Sequence, residues 1–162
     1  MYKRTKLNNG LRIISKSLKQ AQSVSLGIWI NTGGRYETDS QKGISHYLEH
    51  LLFKGSKKYS CRLIKESIEG VGGSLNAFTS EELTCYLAKI PCRYLFSTLD
   101  ILSDMVISPS LNQADIDKER TVILEELKMY RDLPQSYVYE LLDELLWPAQ
   151  PLGTPIIGTT ES

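Results

Sequence analysis

The residues best equipped for chemistry stand in one short string, His46-Tyr47-Leu48-Glu49-His50, and these two histidines are the only ones in the chain. On an α-helix, residues four apart lie one above the other, so both imidazoles can converge on a single ion. Glu49 falls about 60° round the helix from His46, which sets its carboxylate beside any water the ion would hold. The spacing is that of a helical zinc site in inverted order, with glutamate preceding the second histidine instead of following the first. Two neutral imidazoles and one more carboxylate would leave the fourth position of a tetrahedral zinc ion open to water, and Glu49 is the expected general base for it.

The remaining ligand has to come from another element. A helix is expected from about Gln113 to Arg131, with Asn112 as its cap. Measured round that helix from Glu126, Val122 and Ile123 fall at about −40° and +60°, Met129 and Tyr130 at about −60° and +40°, and Glu119 at about +20°. Two carboxylates thus lie inside an apolar stripe, where each costs several kcal/mol unless paired, hydrogen-bonded or bound to metal. Glu125 is turned about 100° away and reads as solvated, which leaves Glu126 as the expected third ligand. Glu119 is about 10 Å back along the axis, too far to share the ion closely, and is expected to orient a ligand histidine from behind. The alternative for this pair of acids is an ion pair with Lys118, Arg120 or Arg35.

These side chains need a scaffold. The histidine string belongs to a helix from Ile44 to Phe53, ended by Gly55. Its wheel gathers Ile44, Tyr47, Leu48 and Leu51 on an expected core side and His46, Glu49, His50 and Phe53 on the other. Upstream, Asn9-Gly10 reads as the turn of a β-hairpin running on to Ser17, and Val24 to Ile30 alternates as a third strand. Leu63 to Val71 reads as a second helix. Ser74–Thr79 and Leu83–Ile90 read as strands joined by the turn Ser80-Glu81-Glu82, with Pro91 stopping the second. Tyr94–Ile107, Gln113–Arg131 and Tyr137–Leu146 complete the helices. Strands without a regular strand-helix-strand beat predict an α+β fold, a mostly antiparallel sheet covered by helices.

Composition narrows the setting. Nineteen basic residues balance nineteen acidic ones, so no net field favours nucleic acid or an anionic membrane. The sequence holds neither an apolar run of bilayer length nor a signal-peptide core, and a cytoplasmic chain is expected. Cys61, Cys85 and Cys92 are odd in number and lack Cys-x-x-Cys spacing, which argues against a disulfide framework or a thiolate zinc site. At 162 residues a single domain is the working count.

Five ordered strings resemble blocks of the pitrilysin/insulinase family of inverted-motif zinc peptidases, in particular its processing-peptidase branch of mitochondrial β-subunits and bacterial relatives. They are Gly34 to Glu37, Gly43 to Gly55, Gly72 to Ser80, Glu119 to Glu126, and Leu152 to Thr159. The resemblance implies a zinc endopeptidase acting on extended peptides or presequences. His46, His50 and Glu126 would hold one Zn2+ ion, Glu49 would be the general base and Glu119 the supporting acid. It also implies that the strand around Asn76, Ala77 and Phe78 pairs with the peptide by β-augmentation.

Family members resemble clamshells of homologous domains, so a C-terminal partner domain or subunit is expected beyond this N-terminal catalytic domain. The sequence stops at Thr160-Glu161-Ser162, where relatives continue into a further helix and strand, which makes a C-terminally truncated fragment the expectation. Two rival readings are a non-catalytic remnant of a processing-peptidase-like subunit and an S-ribosylhomocysteinase, whose helix carries the same motif but whose third ligand is a cysteine.

Overall fold

The computed structural model describes residues 1–160; Glu161 and Ser162, the last two of the sequence, lie outside them. The Asn-Gly turn forms as expected: β1 (Lys3–Lys6) pairs antiparallel with β2 (Arg12–Ser15), and the Asn9 side chain accepts from the Leu11 backbone N–H at 3.1 Å. This hairpin stands as a sheet of its own. The larger sheet has the order β3-β5-β4, all antiparallel, with β3 at Ser23–Ile30, β4 at Ser74–Thr79 and β5 at Thr84–Pro91. The fold is α+β, helices over antiparallel sheet.

The helices are α1 (Ile44–Leu52), α2 (Cys61–Ile68), α3 (Leu95–Ile107), α4 (Gln113–Asp132) and α5 (Pro134–Leu146). Two starts differ from expectation by more than one residue, for local reasons. α2 begins at Cys61 because the Ser60 side chain accepts from the Leu63 N–H, and α5 begins at Pro134 because proline, lacking an N–H, suits the first turn. Asn112 does occupy the N-cap of α4, but its carbonyl accepts from Asp115 and Ile116 while its amide turns to the Asp115 carboxylate.

Alternation sets the two faces of the sheet. Val24, Leu26 and Ile28 of β3, Ala88 and Ile90 of β5 and Leu75 of β4 face one way, where Ile64 and Ile68 of α2 and Ile101, Leu102 and Met105 of α3 cover them. Burying each large side chain is worth about 1.5–3 kcal/mol, so this is where the scaffold is held. On the opposite face Trp29 is set edge-on to Phe78 across 5.8 Å, flanking Cys85, which is buried between them in the register. Among the described residues no helix is long and apolar enough to cross a membrane.

The faces of α1 depart from the wheel. Ile44 and Leu48 are exposed, while Ser45, Leu51 and Leu52 are buried and the His46-Glu49-His50 side is half-buried. The cause is that α1 is flanked by β4 and α4, and its polar side faces that seam. On α4 likewise, Val122 and Met129 are exposed, and the inward positions are Glu119 and Leu127.

Candidate metal centre and cleft

Position and rigidity of α1 come from a carboxylate upstream of it. Glu37 accepts from the Gly43 N–H through one oxygen and the Ser45 N–H through the other, both at 2.7 Å. These are first-turn donors that no helical carbonyl can satisfy, and a carboxylate there also suits the helix dipole. Gly43 itself has φ 88, and a Cβ on it would lie 2.6 Å from the Ile157 carbonyl oxygen. Gly158, φ 84, meets the Lys42 carbonyl in the same way. Only paired glycines permit this backbone approach, which seats the 152–158 segment against the start of α1.

The seam then brings the expected residues together. His46, His50 and Glu126 each offer a ligand atom, and these atoms lie within 4.8 Å of one another. Glu126 Oε2 is 3.4 Å from His50 Nε2 and 3.9 Å from His46 Nε2. Neighbouring ligand atoms round a tetrahedral zinc ion at its usual bond lengths are about 3.3–3.4 Å apart, so the first distance matches, the second exceeds it by about half an ångström, and the three atoms, all within 4.8 Å, would draw together round an ion. His46 Nδ1 is buried with no hydrogen-bond partner, leaving that nitrogen desolvated without compensation. Burial first, and then the neighbouring His50, push its pKa below the ordinary histidine value, towards the neutral form that ligates metal. The donor set, two imidazoles and a carboxylate aimed at one point, fits zinc. None of the three cysteines joins it.

Glu119, only 3% exposed, lies on the far side of the His50 ring, with Oε2 3.3 Å from Nδ1. Glu119 and Glu126, two turns apart on α4, thus address opposite nitrogens of one imidazole. A carboxylate accepts, so the Glu119 contact favours the tautomer with the proton on Nδ1, in which Nε2 would have a lone pair to offer a metal. Of the alternative partners, none among Lys118, Arg120 and Arg35 pairs with Glu119 among the described residues; Lys54 does so at 2.7 Å, and Arg35 pairs with Glu82. Glu125 is exposed and pairs with Lys128.

Glu49 accepts from the Thr79 hydroxyl at 2.6 Å, which ties the carboxylate to the last residue of β4. A brace holds the two elements in place. Gly34 and Arg35 donate to the Ser80 and Glu81 carbonyls beyond β4, and Glu37 caps α1 two residues later. Beside the cluster opens a cleft of about 430 Å³, walled by β4, α5 and the 152–157 segment. Ala77 and Phe78 line it; Asn76 does not, its carboxamide being turned to the Ala77 N–H. β4 is an edge strand, paired only with β5 among the described residues.

Glu37, Lys54 and Thr79 are the residues the sequence reading assigned no part. Lys54 carried one usable signal, its place four residues after His50 on the line of the ligand helix.

A helical pair of histidines, an inserted glutamate and a carboxylate from a later helix define a class, and the sequence agrees. Residues 12–160 match the insulinase family, peptidase family M16, and the chain belongs to that family. It is 43% identical over 162 residues to a Bacillus subtilis protein described as the uncharacterized zinc protease YmxG, covering all of this chain and 40% of that one. It is 36% identical over 158 residues to the probable mitochondrial-processing peptidase subunit beta of Arabidopsis thaliana, covering 98% of this chain and 30% of that one. In structure it matches a protease from Helicobacter pylori with a TM-score of 0.94 at 26% identity, over 99% of this chain and 39% of the other. The chain therefore spans about two fifths or less of the length of these relatives.

Proposed function

We propose that this chain carries the zinc site and the general base of an endopeptidase that cleaves extended peptides. His46, His50 and Glu126 are the ligands of one zinc ion, and Glu119 sets the tautomer and angle of His50. Zinc held there supplies Lewis acidity, polarising a peptide carbonyl and acidifying water. Glu49 takes the proton of the attacking water and returns it to the amide nitrogen as the C–N bond breaks, giving a carboxylate and an amine. Thr79 holds one oxygen of Glu49, so the other is free to accept that proton. The substrate backbone lies along the free edge of β4 at Ala77 and Phe78, where strand addition supplies hydrogen bonds without regard to sequence. A homologous partner domain or subunit closes over the cleft and completes substrate binding.

One observation carries this reading: three metal-ligating side chains from α1 and α4 meet within 4.8 Å at the floor of a cleft whose wall holds Glu49. The test is zinc content and peptide cleavage, measured on the purified chain alone and joined to the missing share of a relative's length. Glu49→Gln should retain zinc and lose cleavage, and Glu126→Gln should lose zinc. Full zinc affinity in Glu126→Gln would overturn the ligand assignment, and undiminished cleavage by Glu49→Gln would overturn the mechanism.

A further inference from the structure

We infer that Lys54 is a positioning residue of the metal centre, acting through Glu119 to fix the His50 ring; this rests on the zinc reading above. Lys54 Nζ is 2.7 Å from Glu119 Oε1, while Glu119 Oε2 is 3.3 Å from His50 Nδ1. The two contacts on one carboxylate are unequal. A charge-assisted contact at 2.7 Å is a firm hold, whereas 3.3 Å to an imidazole is a loose one. The terminal torsion of a glutamate is broad, so the firmer contact decides where the second oxygen points. Lys54 therefore aims Oε2 at His50.

The lysine is well anchored for this. It lies one residue past the C-cap of α1, with its own N–H bonded to the Leu51 carbonyl, so its stem moves with the helix that carries His46 and His50. Glu119 belongs to α4, as Glu126 does. The chain Lys54–Glu119–His50–Glu126 thus crosses the seam three times and locks both helices at one separation. Glu119 also needs the cation for its own sake, since a carboxylate with its side chain 4% exposed costs several kcal/mol unless paired.

The rival account is local: a cation after the C-terminus of α1 stabilises the helix dipole and acts without Glu119. A double-mutant cycle separates the two. Zinc affinity is measured by chelator competition on the chain and on its variants Lys54→Met, Lys54→Arg, Glu119→Gln and Lys54→Met/Glu119→Gln, with far-UV circular dichroism reporting the fold. Lys54→Met should weaken zinc binding about 10–100-fold, the range for partners behind a ligand. Lys54→Arg should recover most of that loss. The double variant should bind no more weakly than Glu119→Gln alone. Unchanged affinity in Lys54→Met, or losses that multiply in the double variant, would overturn the inference while the zinc site stands. Should Lys54→Met not fold, Lys54→Gln carries the same comparison. An unsubstituted chain that binds no zinc would overturn the site itself, and the role of Lys54 with it.

Discussion

Two regions of this molecule bury side chains by opposite means. Beneath α2 and α3, Ile64, Ile68, Leu102 and Met105 are wholly buried against the sheet in an apolar cluster. In the seam between α1 and α4, the deepest residue is Glu119, and around it His46, His50 and Glu126 are half-buried. Apolar burial lowers the free energy of the folded chain, whereas a buried polar cluster at best recovers its own desolvation. The core thus supplies stability, and the seam consumes some of it to hold the proposed ligand set ready. Substitutions in the two regions should have separable signatures.

The largest effect is expected in the core. Leu102→Ala should lower unfolding free energy by about 2–5 kcal/mol, read from a urea midpoint at constant slope, because a closely packed interior collapses only partly round the void. Zinc affinity of the molecules that remain folded should change less than twofold. A large loss of affinity would mean that the two regions are not separable. Glu126→Gln should show the reverse. The metal-free variant should unfold close to the parent, while the zinc-dependent stabilisation, about 2.7 kcal/mol at a hundredfold excess over Kd, should vanish. A melting temperature that still rises with zinc would break the contrast from the other side.

What the sequence made legible follows the same division. Alternation located β3, because a strand writes its faces with period two, while the turn at Ser80-Glu81-Glu82 and the stop at Pro91 located β4 and β5, and the Asn-Gly pair located the β1–β2 turn. The spacing of His46, Glu49 and His50 and the two acids on α4 were readable because helical periodicity is local, and the structure does bring His46, His50 and Glu126 together. The wheel placed Leu51 of α1 correctly and misjudged Ile44 and Leu48. It ranks faces by hydrophobicity, and here Ile44 and Leu48 are left outside while the ligating face turns into the seam. Glu37, Lys54 and Thr79 left little trace because each acts on a partner distant in sequence or through a single hydrogen bond. Glu37 reaches eight residues, Thr79 thirty and Lys54 sixty-five, with no repeat to betray them.

Two of those residues sharpen the boundary between the regions. Glu37→Ala removes both bonds to the first turn of α1 and should cost about 1–2 kcal/mol, while loosening the ligand helix enough to weaken zinc binding measurably. It is the substitution expected to register in both assays, because Glu37 stabilises the start of the very helix that carries His46 and His50. Thr79→Val should register in neither. It removes the donor to Glu49 while keeping the β-branched shape of an edge-strand residue, so stability and zinc affinity should stay near the parent's. Peptide turnover should fall about tenfold, the loss of one hydrogen bond to a charged group. Thr79→Ser should restore it. Loss of zinc in Thr79→Val would show that β4 supports the metal as well as the base.

The smallest effect concerns a second lysine–carboxylate pair, which differs from Lys54–Glu119 mainly in exposure. On the outer side of α3, Asp100 accepts from the Tyr59 hydroxyl at 2.5 Å and from Lys58 at 3.2 Å, with about half its side chain in solvent. The Tyr59 hydroxyl, and after it Lys58, hold this carboxyl below its usual range. The sign of the consequence is fixed. A carboxyl whose folded pKa is depressed adds stability above its unfolded pKa of about 3.9, and that stability is lost as the pH falls through the lower, folded value. Tyr59→Phe removes the largest cause, so the loss of stability on moving from about pH 5 to pH 2 should become shallower, and stability at neutral pH should fall only slightly. Salt near 1 M should shrink the difference further, since these charges stand in solvent. An effect of Tyr59→Phe as large as that of Lys54→Met on the folded state would mean that burial is not what distinguishes the seam from the surface.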